Sequence, residues 1–281
     1  MIMGSQRMRL KEFGKTGRKV SEIGMGTYYD PMWIATALFG WRRGAAAKFD
    51  AIRSGLEAGM TLVDTAEIYG SEPLVAEAIK HSKRDDIFLA TKVWGNHLHR
   101  DDLVKAFGKS LRRLGTSYVD LYQVHFPNPR VPITETMAAM EELVREGKLN
   151  HIGVSNFRLQ ELEEARSALP RSELSSVQPD YSLIHRNVER DILPYCDREG
   201  IALLAYYPLG HGKLASSPAL DFAASRLGRT RSQVALRWLA RKANVFPIPR
   251  ASSRVHVLED AGASDWELSD QDITELNARF P

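Results

Sequence analysis

Four side chains that together can move a proton fall at intervals through the first half of the chain: Asp64 and Tyr69 in DTAEIYG, Lys92 in FLATKVW, and His125 in YQVHFP. A tyrosine with a free pKa of about 10 is a poor proton donor at neutral pH, and a nearby ammonium lowers that value by stabilising the phenolate. Lys92 is the ammonium of the set, and Asp64 is the carboxylate that keeps it charged against desolvation. His125 is the group that would orient a substrate oxygen beside Tyr69. Taken singly, each has a plainer reading: an N-cap for Asp64, a rim-packed turn residue for Tyr69, an outward-reaching lysine, a satisfied core histidine. Four such coincidences at strand ends are far rarer than one.

The strands that would hold them are legible. Short β-branched runs recur as VSEIGMGT, MTLVDT, DIFLATKV, SYVDLYQVH, NHIGVSN, LSSVQPD, IALLAYYP and VFPIPR. Between and after them lie stretches such as AAAKFDAIRSGLEAG, RDDLVKAFGKSLRRLG and ITETMAAMEELVREG, with apolar residues three and four apart. Several of these helical stretches stop at glycine, as at Gly59, Gly115, Gly147 and Gly200, consistent with left-handed caps. Strands alternating with amphipathic helices imply right-handed βαβ units and a parallel sheet. Eight such units in 281 residues predict one α/β domain over residues 1–281, a single (β/α)8 TIM barrel. A six-stranded doubly wound fold competes, but no strand is followed by a full glycine-rich dinucleotide fingerprint; GMGTYYD lacks the third glycine. In a barrel the chemistry gathers where strands end, which adds Ser155, Asn156 and Gln178 to the first four.

Composition narrows the partners. The net charge is only +3, and lysines and arginines alternate with acids, as in HRDDLVKAFGKSLRRLG, which argues against nucleic acid or a membrane surface. The single cysteine, Cys196, excludes an internal disulfide, and no residue set has the spacing of a zinc site, so no metal is expected. With no signal-peptide core and no apolar run of about eighteen residues, a cytoplasmic protein is expected. The apolar stretch PMWIATALFGW, residues 31–41, reads as part of a loop insertion over 29–46, serving as pocket wall, lid or oligomer contact.

With those residues in view, the chain resembles the aldo-keto reductases over nearly its whole length. GKTGRKVSEIGMGT is similar to the family's opening hairpin and first strand, and GLEAGMTLVDTAEIYGSE to its Asp and Tyr signature. LATKVW and DLYQVHFP resemble the segments bearing its lysine and histidine, while IGVSNF, VQPDYS, LLAYYPLGHG and PIPRASSRVHVLEDA resemble its nicotinamide- and phosphate-binding segments. The resemblance implies an N-terminal β-hairpin, residues 8–20, capping the barrel bottom. It also implies an NADPH-dependent carbonyl reductase in which hydride passes to the carbonyl carbon and Tyr69 protonates the oxygen. Asp64 and Lys92 would tune Tyr69, and His125 would position the carbonyl. Ser155, Asn156 and Gln178 would hold the nicotinamide carboxamide, Tyr206 would stack on its ring, and Gly26, Thr27 and Asp64 would line its other edge. Pro208, Leu209, Gly210, Lys213 and Ile248 belong to the cofactor segments by the same resemblance. Arg250, Ser252, Ser253, Arg254, His256, Glu259 and Asp260 would face the adenosine end, where arginine forks and hydroxyls opening a helix suit a 2′-phosphate and favour NADPH over NADH. His256 stands where many relatives carry arginine, and Asp260 where asparagine commonly reads the adenine.

For the substrate, Tyr28, Trp33, Trp94 and Phe126 are candidates for an aromatic wall suited to aldehydes, ketones or aromatic carbonyls. The chain ends soon after its last helical stretch, so a short or missing pocket-closing loop and a broad substrate range are expected. A monomer acting on a small carbonyl compound is the expected form. Two readings compete: oxidation of alcohols or sugars by the same residues in reverse, and a cofactor-binding regulatory protein of the potassium-channel beta-subunit kind. A metal-dependent hydrolase is disfavoured, because NHLHRDD reads more simply as a surface turn and cap.

Overall fold

The structure is a computed structural model and describes residues 8–38, 44–250 and 252–281. Ahead of the barrel, β1 (Leu10–Glu12) and β2 (Lys19–Ser21) pair as an antiparallel hairpin. Eight parallel strands follow: β3 (Met25–Gly26), β4 (Leu62–Asp64), β5 (Phe88–Val93), β6 (Val119–Val124), β7 (Leu149–Ser155), β8 (Leu174–Gln178), β9 (Ala202–Ala205) and β10 (Val245–Pro247). Each of the eight stretches expected to be a strand overlaps one of these. Neighbours in sequence are neighbours in the sheet, from β3 to β10, and the ends meet. Gly24 and Gly26 donate their N–H groups to Pro247 O at 2.9 Å and Pro249 O at 2.8 Å. A Cβ on Gly26 would stand 2.9 Å from Ile248 O, so the two strands approach this closely only because residue 26 is glycine.

Helices α1 (Pro31–Leu38) and α2 (Ala45–Glu57) follow β3, α3 (Glu72–Ile79) follows β4, α4 (Arg100–Leu114) β5, α5 (Ile133–Arg145) β6, α6 (Leu159–Ser167) β7, and α7 (Ile192–Glu199) β8. After β9 come α8 (Asp221–Leu227) and α9 (Arg231–Ala240), and after β10 come α10 (Arg254–Ala261) and α11 (Asp270–Arg279). In α4, Leu103, Ala106, Phe107, Ser110 and Leu114 are buried, the three-and-four spacing that lays one face on the sheet. Gly59, Gly115, Gly147 and Gly200 all have φ between 63° and 88° and end their helices in the left-handed region.

One expectation needs correction. Residues 31–38, expected as loop, form α1; residues 39–43 of that same stretch lie outside the described residues. Asp30 Oδ1 accepts the Trp33 N–H at 2.7 Å and Pro31 occupies the first helical position, so a cap and a pre-set φ start the helix.

Apolar side chains divide into two layers. An outer layer seats the helices on the strands. An inner one fills the barrel with Leu62, Phe88, Ala90, Leu121, Leu204, Phe246 and Ile248. The hairpin adds Phe13 and Val20 to that inner layer, with the Phe13 ring 4.5 Å from Phe88 and 5.1 Å from Phe246. Phe13 thus closes the lumen at the end where the strands begin, and the open mouth lies at the other. Cys196 on α7 is fully buried, and burial pushes its thiol up to about 12. Among the described residues, no helix is long and apolar enough to cross a membrane.

Candidate active site

Asp64 is the last residue of β4, Lys92 lies one residue before the end of β5, and His125 directly follows β6. Tyr69 comes back over them on the loop after β4. Its carbonyl accepts the Trp33 Nε1–H from α1 at 3.0 Å. The structure brings the four together: Lys92 Nζ donates to Asp64 Oδ2 at 2.6 Å and to Thr65 O at 2.9 Å, and lies 3.5 Å from the Tyr69 hydroxyl. That hydroxyl is 3.3 Å from His125 Nε2. All four are buried, Lys92 completely.

Burial governs their protonation. Desolvation lowers Lys92, and Asp64 opposes it by favouring the ammonium. The His125 imidazole is driven down to about 3, first by burial and then by the Lys92 charge, so it stays neutral. Tyr69 runs opposite to the lowering expected from its ammonium neighbour: burial, then the Asp64 carboxylate, raise it well above 10. The reason is geometric. Lys92 is paired with Asp64 at 2.6 Å, so the carboxylate offsets the ammonium at the hydroxyl and desolvation prevails. Such a phenol is fully protonated at neutral pH.

Next to it the other strand-end residues interlock. Asp64 Oδ1 accepts the Gln178 Nε2–H at 2.9 Å, so the carboxylate is held at both oxygens. Ser155 donates its hydroxyl to Gln178 O at 2.8 Å. Asn156, left-handed at φ 61°, donates to His125 O at 2.9 Å and accepts the Tyr206 hydroxyl at 2.7 Å. The amides of Asn156 and Gln178 beside the Ser155 hydroxyl form a donor and acceptor set that matches a carboxamide, and the half-buried Tyr206 ring offers a flat face. Thr27 is anchored by two bonds to Asp64 O, from its N–H at 3.0 Å and its hydroxyl at 2.9 Å.

Pro208, Leu209 and Gly210 form a tight turn after β9, with Gly210 N–H to Tyr207 O at 2.8 Å and Lys213 exposed beyond it. Ile248 is buried in the inner layer. Arg250 and Arg254 are exposed and tied locally: Arg250 Nη1 donates to Tyr29 O at 2.6 Å, and Arg254 Nη1 donates to Ser54 Oγ at 2.8 Å and lies 3.7 Å from Asp50. Ser252 precedes α10, and Ser253 caps it by accepting the His256 N–H at 3.3 Å. His256 reaches Glu259 at 3.6 Å. Asp260 is buried, and desolvation raises its carboxyl well above the usual range.

Of the substrate candidates, Tyr28 stands edge-on to Tyr69 at 5.2 Å, and Trp94 edge-on to His125 at 5.4 Å. Phe126, 41% exposed, stacks on His125 at 5.1 Å. Trp33 is placed elsewhere: it is buried behind the Tyr69 loop, edge-on to Tyr29. Two residues at this mouth escaped the sequence reading. Tyr207, left-handed at φ 48°, lies 6.4 Å from Tyr28; its signal was its place directly after Tyr206. Glu67, inside DTAEIYG, accepts from the Trp94 N–H and from His97.

The aldo/keto reductase family model matches residues 23–279. An aldo-keto reductase of Bacillus subtilis, YhdN, is 40% identical over 229 residues, covering 76% of this chain and 66% of that protein. The methylglyoxal reductase YeaE of Escherichia coli is 33% identical, covering 82% of this chain and 84% of that protein. A crystal structure of an aldo/keto reductase from Klebsiella pneumoniae in complex with NADP and acetate superposes with a TM-score of 0.85 at 32% identity, covering 96% of this chain and 95% of that one.

Proposed function

From the premise that this chain belongs to the aldo/keto reductase family, we propose that it reduces small aldehydes and ketones with NADPH, Tyr69 acting as the proton donor. The observation that carries the reading is the Tyr69 hydroxyl, held 3.5 Å from Lys92 Nζ and 3.3 Å from His125 Nε2 over the Lys92–Asp64 pair. The reduced nicotinamide, when bound, supplies the hydride. Ser155, Asn156 and Gln178 hold its carboxamide, Tyr206 supports its ring, and Arg250 and Arg254 take the 2′-phosphate. A carbonyl oxygen accepts from the Tyr69 hydroxyl with neutral His125 beside it. As that oxygen becomes an alkoxide it is far more basic than a phenolate, so even a phenol raised by burial gives up its proton. Lys92 then steadies the phenolate at 3.5 Å, with Asp64 keeping the lysine charged. Similarity to the methylglyoxal reductase YeaE supports a small aldehyde as substrate. The same residues run in reverse would oxidise alcohols.

Consumption of NADPH with a panel of aldehydes and ketones, wild type beside Tyr69→Phe, tests the reading. We expect kcat to fall by a factor of about 100 or more in the variant, the usual scale of a lost general acid, while NADPH binding followed by tryptophan fluorescence stays intact. Turnover surviving in Tyr69→Phe would remove Tyr69 as donor. Tight NADPH binding by the wild type with no turnover in either direction would favour the regulatory, cofactor-binding alternative.

A further inference from the structure

We infer that Glu67 is a positioning residue for the substrate-facing wall of the mouth, acting through Trp94, with His97 as its second anchor. The inference rests on the reductase reading for what the mouth receives, and on the following geometry for how it is built. Glu67 lies between Asp64 and Tyr69 on the loop after β4, and its N–H donates to Lys92 O at 3.2 Å. Its side chain is only 8% exposed, and the hydrogen bonds of that side chain go to neither member of the Lys92–Asp64 pair. It turns instead to the next strand, where Oε1 accepts from the Trp94 N–H and from His97 Nδ1 at 3.0 Å.

Those two donors bracket the tight turn Gly95–His97 that leaves β5. The turn is held on its other side by Asn128, whose Nδ2 donates to Gly95 O at 2.8 Å, and it is closed by the His97 N–H on Trp94 O at 2.9 Å. A Cβ on Gly95 would stand 3.1 Å from Phe126 O, so the turn already packs against the segment after β6 with little room to shift. Trp94 projects from this clamp, with its ring edge-on to His125 and to Phe126, each at 5.4 Å. Glu67 therefore joins the loop that carries Tyr69 to the wall that flanks His125. One carboxylate is thus the direct side-chain tie between the loop that bears the hydroxyl and the turn that carries the aromatic wall. A bulky carbonyl compound that fills the mouth depends on the spacing between hydroxyl and wall; a small one does not.

The test compares wild type with Glu67→Ala, Glu67→Gln and His97→Ala, using benzaldehyde and propanal as substrates. Removing the acceptor leaves the Trp94 N–H without a partner, and we expect Glu67→Ala to raise KM for benzaldehyde about tenfold, the scale of one lost bond to a charged group. KM for propanal, kcat for both aldehydes and NADPH affinity by fluorescence should stay near wild type. Glu67→Gln keeps an amide oxygen that can accept the Trp94 N–H and should restore most of the benzaldehyde KM; His97→Ala should fall between. A KM rise equal for both aldehydes, a loss of NADPH affinity, or a glutamine variant as impaired as the alanine one would overturn the inference. Amide hydrogen exchange at Trp94, measured with no substrate present, should quicken about tenfold in Glu67→Ala. Unchanged exchange would also overturn it. If the wild type reduced neither aldehyde, the reductase reading would fail instead, and the exchange result would decide the Glu67 tie by itself.

Discussion

His125 shows how a single buried side chain writes itself into the pH dependence of the whole protein. Its imidazole is driven from 6.5 down to about 3 by burial and by Lys92. Between those two values the unfolded chain binds a proton that the folded protein refuses, so stability falls as pH drops through that window and is unaffected by this group above it. Urea midpoints between pH 7 and pH 4 check this: the wild type should lose stability on acidification, and His125→Asn should lose measurably less. At this scale much of the site was legible, because Asp64, Lys92 and His125 sit at strand ends and a barrel points strand ends at one mouth. What escaped was how the groups divide one another. Nothing in the order of residues says that Asp64 spends one oxygen on Lys92 and the other on Gln178, so the neighbouring charge was credited with a lowering of Tyr69 that burial reverses.

Arg250 and Arg254 belong to the junction between β10 and α10, and that junction decides what they can do. Both guanidiniums are exposed and leaned on local acceptors, Tyr29 O and Ser54 Oγ, so each retains donors for an incoming phosphate. Replacing both with alanine should weaken NADPH about a hundredfold, the cost of two charge-assisted bonds, and NADH by no more than a few-fold. Equal losses for the two cofactors by fluorescence titration would remove the phosphate role. The barrel strands and most of their helices, though not α10 (Arg254–Ala261), could be read from the alternation of apolar runs and three-and-four spacing. Helix α1 could not, since PMWIATAL carries almost no polar residue and its period is hidden; Met32 stays 70% exposed while Trp33 beside it is buried. Only Asp30-Pro31 announced it. With seven residues, α8 is too short to display a period at all.

Across the whole molecule the two ends of the barrel have separate duties. The strand starts are sealed by Phe13 against Phe88 and Phe246, and the strand ends hold Asp64, Lys92 and His125 beneath Tyr69. Phe13→Ala should therefore cost about 3–5 kcal/mol of stability, as large-to-small changes in a packed core do, and lower the urea midpoint. KM and kcat of the folded enzyme should not move; a change in either would mean that the plug reaches the mouth. Barrel closure itself was only implied by the count of eight strands, and it is made by the approach of Gly24 and Gly26 to Pro247 and Pro249. The enclosed Cys196 has a practical corollary. Because the chain's one thiol is both hidden and held in its unreactive protonated form, a cysteine introduced at an exposed hairpin position such as Lys19 would be the sole target for a maleimide dye or a tether. The enzyme could then be labelled or fixed to a support at its sealed end, in native form, with the mouth facing the solution.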